Sequence, residues 1–130
     1  MTETLNKVDT LAKIGSSLLS VQIEAFDVEA GRISKDLWVL GYCFGLFDCM
    51  AQYARLDQFT EGTALMRSGF GKLVGSEPNG AALFEQAVGA VESPIFNEGM
   101  AAGEADLLAW ADNVHAQPSA LTRHMEATRT

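Results

Sequence analysis

From Leu11 onward the apolar residues Leu11, Ile14, Leu18, Val21, Ala25 and Val28 recur at steps of three and four, the spacing that draws one stripe along an amphipathic helix. The stripe predicts a first helix from about Thr4 to Ala30, ended by Gly31. The run from Leu37 to Ala54 is apolar nearly all round and predicts a core helix. Ser34 is its predicted N-cap, Asp36 suits its first turn, and it extends to about Leu56. A third segment, Thr60 to Val74, carries Leu65, Met66, Phe70 and Leu73, but Gly62, Gly69 and Gly71 weaken it, so a short or bent helix is expected. Ser76-Glu77-Pro78-Asn79-Gly80 reads as a loop. Ala82, Leu83, Ala87, Val88 and Val91 mark a fourth helix, and Ser93-Pro94 an N-cap and first residue of a fifth, through about Val114. Beyond Pro118, the polar segment Ser119 to Thr128 predicts a last helix that frays.

No run alternates with period two over β-branched residues, so the expected class is all-α. The 130 residues suit one hydrophobic core. The expectation is a single domain, 1–130, built as a bundle of four to six helices.

The core helix contains Gly41-x-x-x-Gly45-x-x-Asp48-x-x-Ala51, and the fifth helix contains Gly99-x-x-x-Gly103-x-x-Asp106-x-x-Ala109, an offset of 58 residues. The same offset pairs Phe26 with Phe84, Asp27 with Glu85, Gly31 with Gly89, Ile33 with Val91, Leu37 with Ile95 and Trp38 with Phe96. This register suggests two duplicated helical hairpins, about 20–56 and 78–114. Glycines at i and i+4 share one helix face and let another backbone approach closely. Each costs roughly 0.5–1 kcal/mol relative to alanine inside a helix, so a packing partner or a bound group is expected there.

Asp48, Gln52 and Arg55 continue the face of Gly41 and Gly45. Three readings of this stripe stay open. The glycines accept a neighbouring helix, with Asp48 pinned by Arg55, Gln52 or a backbone amide. Alternatively Asp48 and Asp106 face a small polar or cationic ligand beside Trp38, Tyr42 or Trp110. The third reading is a subunit interface. The candidate ligand or interface residues are therefore Gly41, Gly45, Asp48, Gln52, Arg55, Gly99, Gly103 and Asp106.

Charge narrows the partners. With a net charge of −8 and only nine Lys and Arg, scattered along the chain, neither nucleic acid nor an anionic membrane surface is expected as a partner. Leu37 to Phe47 is too short to span a bilayer: its uncharged stretch covers roughly 16 Å against about 30 Å of hydrocarbon. Met1 to Thr10 has no basic region followed by an apolar one, so a cytoplasmic location is expected. Cys43 and Cys49, six residues apart, form no C-x-x-C pair and read as buried thiols.

Catalytic and metal signatures are weak. His115 and His124 belong to no H-E-x-x-H or paired E-x-x-H element, and Asp112-x-x-His115 is a common surface pair, so neither metal nor cofactor is expected. There is no nucleophile elbow and no Walker loop, and Gly69-Phe70-Gly71 sits in a helical context. Cys43 and Cys49 lie mid-helix in apolar surroundings that raise a thiol pKa.

The octapeptide Gly41-Tyr42-Cys43-Phe44-Gly45-Leu46-Phe47-Asp48 resembles the Gly-Tyr-x-x-Gly-x-x-Asp helix of the Tai-type immunity proteins, small helical proteins that neutralise secreted amidase toxins. The match covers eight of 130 residues and implies a small acidic inhibitor. The leading expectation from the residues themselves is a non-enzymatic protein-interaction module, a homo-oligomer or the binder of a partner. It would act through the stripe of helix one or the glycine face of helix two. A small-molecule binding domain with Asp48 in a pocket, or an inhibitor of the immunity type, are the alternatives.

Overall fold

Asp36, not Ser34, starts the central helix. In the computed structural model, which describes residues 2–24 and 33–127, Asp36 Oδ1 accepts from the backbone N–H of Trp38 at 3.0 Å and of Val39 at 3.2 Å. A short side chain directly before the helix satisfies two of its orphan donors. Ser34 lies in the preceding turn, where its carbonyl accepts from the Gln86 side chain.

The described chain is an all-α bundle: α1 (Thr2–Glu24), α2 (Leu37–Tyr53), a π-helical turn (Gln58–Gly62), α3 (Thr63–Val74), α4 (Glu77–Gly89), α5 (Pro94–Asp112) and α6 (Ala120–Ala127). The expected continuation of α1 to Ala30, its stop at Gly31, the apolar positions Ala25 and Val28, and the Phe26, Asp27 and Gly31 members of the 58-residue register lie outside the described residues. So does the expected end of α6 at Thr128.

The glycines of α2 and α5 face each other. A β-carbon at Gly41 would overlap the Phe96 carbonyl, and one at Gly45 the Met100 carbonyl. Reciprocally, one at Gly99 would overlap the Trp38 carbonyl and one at Gly103 the Tyr42 carbonyl. The partners advance together along both helices, so α2 and α5 run parallel with their backbones in contact. A shift of 58 residues turns the first two contacts into the last two, which makes the contact a local two-fold. Close approach of this kind gains dispersion contacts along both backbones and offsets the low helix propensity of the four glycines.

Two further helix pairs close the same way. Phe47, fully buried, wedges its ring between Gly15 of α1 and Gly69 of α3, and packs edge-on against Phe70. Gly80 of α4 sits on the Phe70–Gly71 backbone of α3. Asp9 adds ion pairs to Lys13 on α1 and Lys72 on α3, each at 3.0 Å, which hold its carboxyl below the usual range.

Three local expectations are corrected. Ser76 to Gly80 is not a loop: Ser76 Oγ accepts from Asn79 N, and Glu77 and Pro78 form the first turn of α4, where proline's missing N–H is harmless. The predicted stripe of α1 is not its buried face. That face is Val8, Ala12, Gly15, Leu19 and Ile23, while Leu11, Ile14 and Leu18 are half-buried and Val21 is 66% exposed. The small residues Ala12 and Gly15, invisible to a count of large apolar positions, are what bring α1 close to its neighbours. Finally, α6 is anchored, with Leu121 and Met125 buried.

Candidate functional site

The two aspartates of the repeated pattern do not meet. Asp106 Oδ2 accepts from the Tyr42 hydroxyl at 2.6 Å and from the backbone N–H of Ser119 and Ala120 at 3.1 and 2.9 Å. The Gln22 side chain donates to the same Tyr42 oxygen, while its own carbonyl accepts from Thr122 N and Oγ1. Asp106 therefore supplies acceptors for the N-terminus of α6 and joins α1, α2, α5 and α6 through one partly buried network. Burial, then the neighbouring Asp106, pushes the Tyr42 hydroxyl far above its ordinary pKa and keeps it a donor.

Asp48 faces α3, α4 and the π-helical turn. The residue related to Tyr42 by the 58-residue shift is Met100, which offers no donor, and the hydrogen bond to the Asp48 side chain comes from Gln52 Nε2 at 2.7 Å. Burial pushes the Asp48 carboxyl up, only partly opposed by Gln52. Glu104 on α5 is also raised, by burial and then by the Asp48 charge, so the two carboxylates repel. Asp48 lines a cavity of about 230 Å³ with Phe44, Phe59, Met66, Phe84 and Val88. Asp57 Oδ1 accepts from Phe59 N and Glu61 Oε1 accepts from Asp57 N, a reciprocal cap that fixes the turn carrying Phe59.

Other predicted residues fall elsewhere. Gly41, Gly45, Gly99 and Gly103 are occupied within the chain by the α2–α5 contact, so helix α5 covers the glycine face. Gln52 serves Asp48. Arg55 is exposed and lies just past α2 in the left-handed region, φ 60°. There Arg55 N bonds to Gln52 O and Leu56 N to Ala51 O, a Schellman termination that ends α2 at Tyr53, short of the expected Leu56.

A second concave feature was only half visible in the sequence. Leu11 and Ile14 of α1, Met50, Tyr53 and Ala54 at the end of α2, and Leu107, Trp110 and Val114 at the end of α5 surround an apolar groove of about 190 Å³. On α5 the signal was present as Leu107, Trp110, Ala111 and Val114 at steps of three and one, a stripe obscured by the alanines around it. Phe59 and Phe84 had no periodic signal, because they converge on Asp48 from separate elements.

His124 stacks on Trp38, ring centroids 4.1 Å apart, and its Nε2 lies 3.1 Å from Asp36 Oδ2. Both thiols are raised by burial, Cys43 up to about 12. Among the described residues no helix is long and apolar enough to cross a membrane, and no group of three or more His, Cys, Asp or Glu is placed to hold a metal ion. Compared with known proteins, the chain matches no family model, no curated protein and no solved structure.

Proposed function

We propose that this chain is a non-enzymatic protein-interaction module whose docking surface is the apolar groove between α1 and α5. One observation carries the reading. Leu11 and Ile14 of the half-buried α1 stripe line the groove together with Tyr53, 63% exposed, and Val114, 58% exposed, and the stripe continues along α1 through Leu18 to the 66% exposed Val21. Contiguous apolar surface of this kind on a small domain marks an association site, and a concave one suits the apolar face of a helix.

The occupant that the chain itself supplies is a second copy. The α1 stripe is a ridge flanking the groove, so a two-fold pairing lays the ridge of each copy along the groove of the other. An amphipathic helix of a different protein would use the same surface. The net charge of −8 on each copy opposes their approach, so apolar burial is the term that drives the pairing.

Light scattering across a concentration series tests this reading. The wild type is expected to have the mass of a dimer and Val21→Asp, on an exposed position, that of a monomer. A wild type that stays monomeric, with no partner recovered in a pull-down that Val21→Asp abolishes, would count decisively against it.

A further inference from the structure

The Asp48 cavity lies on another face of α2 from the groove, and the interaction reading does not use it. It combines three features. Its walls are mostly aromatic and aliphatic, Phe44 from α2, Phe84 and Val88 from α4, Met66 from α3 and Phe59 from the π-helical turn, with Thr63 adding a hydroxyl. Asp48 is the ionisable side chain among its lining residues. Among the described residues the lysine ion pairs fall on Asp9 and the His124 contact on Asp36, and none of these basic groups reaches the Asp48 carboxylate, which has the Gln52 amide for company and Glu104 as a second negative charge nearby.

Asp48 is half-buried, and partly desolvating a carboxylate against hydrocarbon without a counter-ion is unfavourable, which a bound cation relieves. Aromatic faces attract cations through the ring quadrupole. Phe84 already displays this preference, since the Arg67 guanidinium carbon lies 5.4 Å from its ring centroid. Phe59 is 89% exposed, an arrangement that leaves a large ring at the cavity mouth with most of its surface in water. At about 230 Å³ the cavity is smaller than the roughly 300–1,000 Å³ of sites for drug-sized ligands, which limits the occupant to a compact molecule.

We infer that this cavity binds a compact organic ammonium ion, with Asp48 as its counter-ion and Phe44, Phe59 and Phe84 around its alkyl or methyl groups. A metal ion suits the site poorly, because the lining side chains offer it two oxygen-bearing groups, the Asp48 carboxylate and the Thr63 hydroxyl, where a hard cation needs several. A neutral ligand of the same shape would leave the carboxylate unpaired. Charge and shape are therefore both required.

The test is titration by calorimetry and by amide NMR shifts, using choline, tetramethylammonium and phenethylamine as chloride salts, with 3,3-dimethylbutan-1-ol as the uncharged counterpart of choline. At least one of the cations should bind saturably, moving the amides of Phe59, Thr63, Met66 and Phe84, and the alcohol should not. Asp48→Asn should weaken binding at least tenfold and Phe59→Ala, a change at an exposed position, several-fold. Val21→Asp should leave it intact, which separates this inference from the interaction reading. Absence of saturable binding by all three cations up to ~10 mM, equal binding of the alcohol, or unchanged affinity in Asp48→Asn would each overturn it.

Discussion

The Tyr42 hydroxyl lies 2.6 Å from Asp106 Oδ2, and that contact separates the fates of two aspartates that a 58-residue repeat places in equivalent positions. Asp106 is consumed by Tyr42 and by the start of α6. Asp48, opposite a methionine in the same relation, keeps an aromatic cavity beside it. The backbone of the α2–α5 pair is symmetric and its side chains are not.

Tyr42→Phe should destabilise the protein by about 1–3 kcal/mol, because the Gln22 amide and one lone pair of Asp106 lose their buried partner. Asp106→Ala should cost more, since it also leaves the first N–H groups of α6 and the Tyr42 hydroxyl unsatisfied. Urea denaturation ranks the two, and hydrogen exchange in α6 should rise selectively in Asp106→Ala.

Alanine at Gly41, Gly45, Gly99 or Gly103 should force α2 and α5 apart. Each is expected to lower stability by at least the ~1–3 kcal/mol typical of overpacking, because the overlapped atoms are backbone carbonyls that cannot turn aside. Gly89→Ala is the control. Nothing lies within 4 Å of its added methyl group, so it should be neutral or stabilise by ~0.5 kcal/mol through helix propensity. Thermal melts of the five variants check the contrast.

Arg55→Gly should stabilise the fold by about 1 kcal/mol. Arg55 holds a left-handed conformation, φ 60°, that a side chain disfavours and glycine does not. Its side chain is exposed. Chemical denaturation against wild type reads the gain.

Asp48→Asn should raise stability at neutral pH and flatten its pH dependence. Burial raises the Asp48 carboxyl in the folded protein, so the native state holds a proton that the unfolded chain has released. Between the unfolded value of 3.8 and the raised folded value, wild-type stability therefore falls as pH rises. Glu104, raised partly by the Asp48 charge, should titrate at lower pH in the variant. Melting temperatures of both proteins from pH 3 to 7 check it: the difference in favour of Asn should grow with pH through that window and then level off. A constant difference would contradict the assignment.

The helical class was legible because the apolar steps of three and four are long and β-branched alternation is missing. The close approach of α2 was legible in Gly41 and Gly45, whose helix cost demands a partner, and the same pattern at Gly99 and Gly103 pointed to α5 as that partner. At Ser76-Glu77-Pro78 the proline reads equally as a loop breaker or as a first-turn residue, and only the hydrogen bond from Asn79 N to Ser76 Oγ decides. The face of α1 was misassigned by one position because it is lined by Ala12 and Gly15, which carry little hydrophobic signal. Phe59 and Phe84 converge on Asp48 through tertiary packing that no local spacing records.

The central claim, that the ridge of α1 pairs with the groove of a second copy, is tested most directly by isotope-filtered NOE spectroscopy on a mixture of labelled and unlabelled protein. Intermolecular contacts should connect the methyl groups of Leu18 and Val21 in one copy with Trp110 and Val114 in the other, and should vanish in Val21→Asp. A mixture that shows no intermolecular contact at the groove, at a concentration where light scattering finds a monomer, would contradict it.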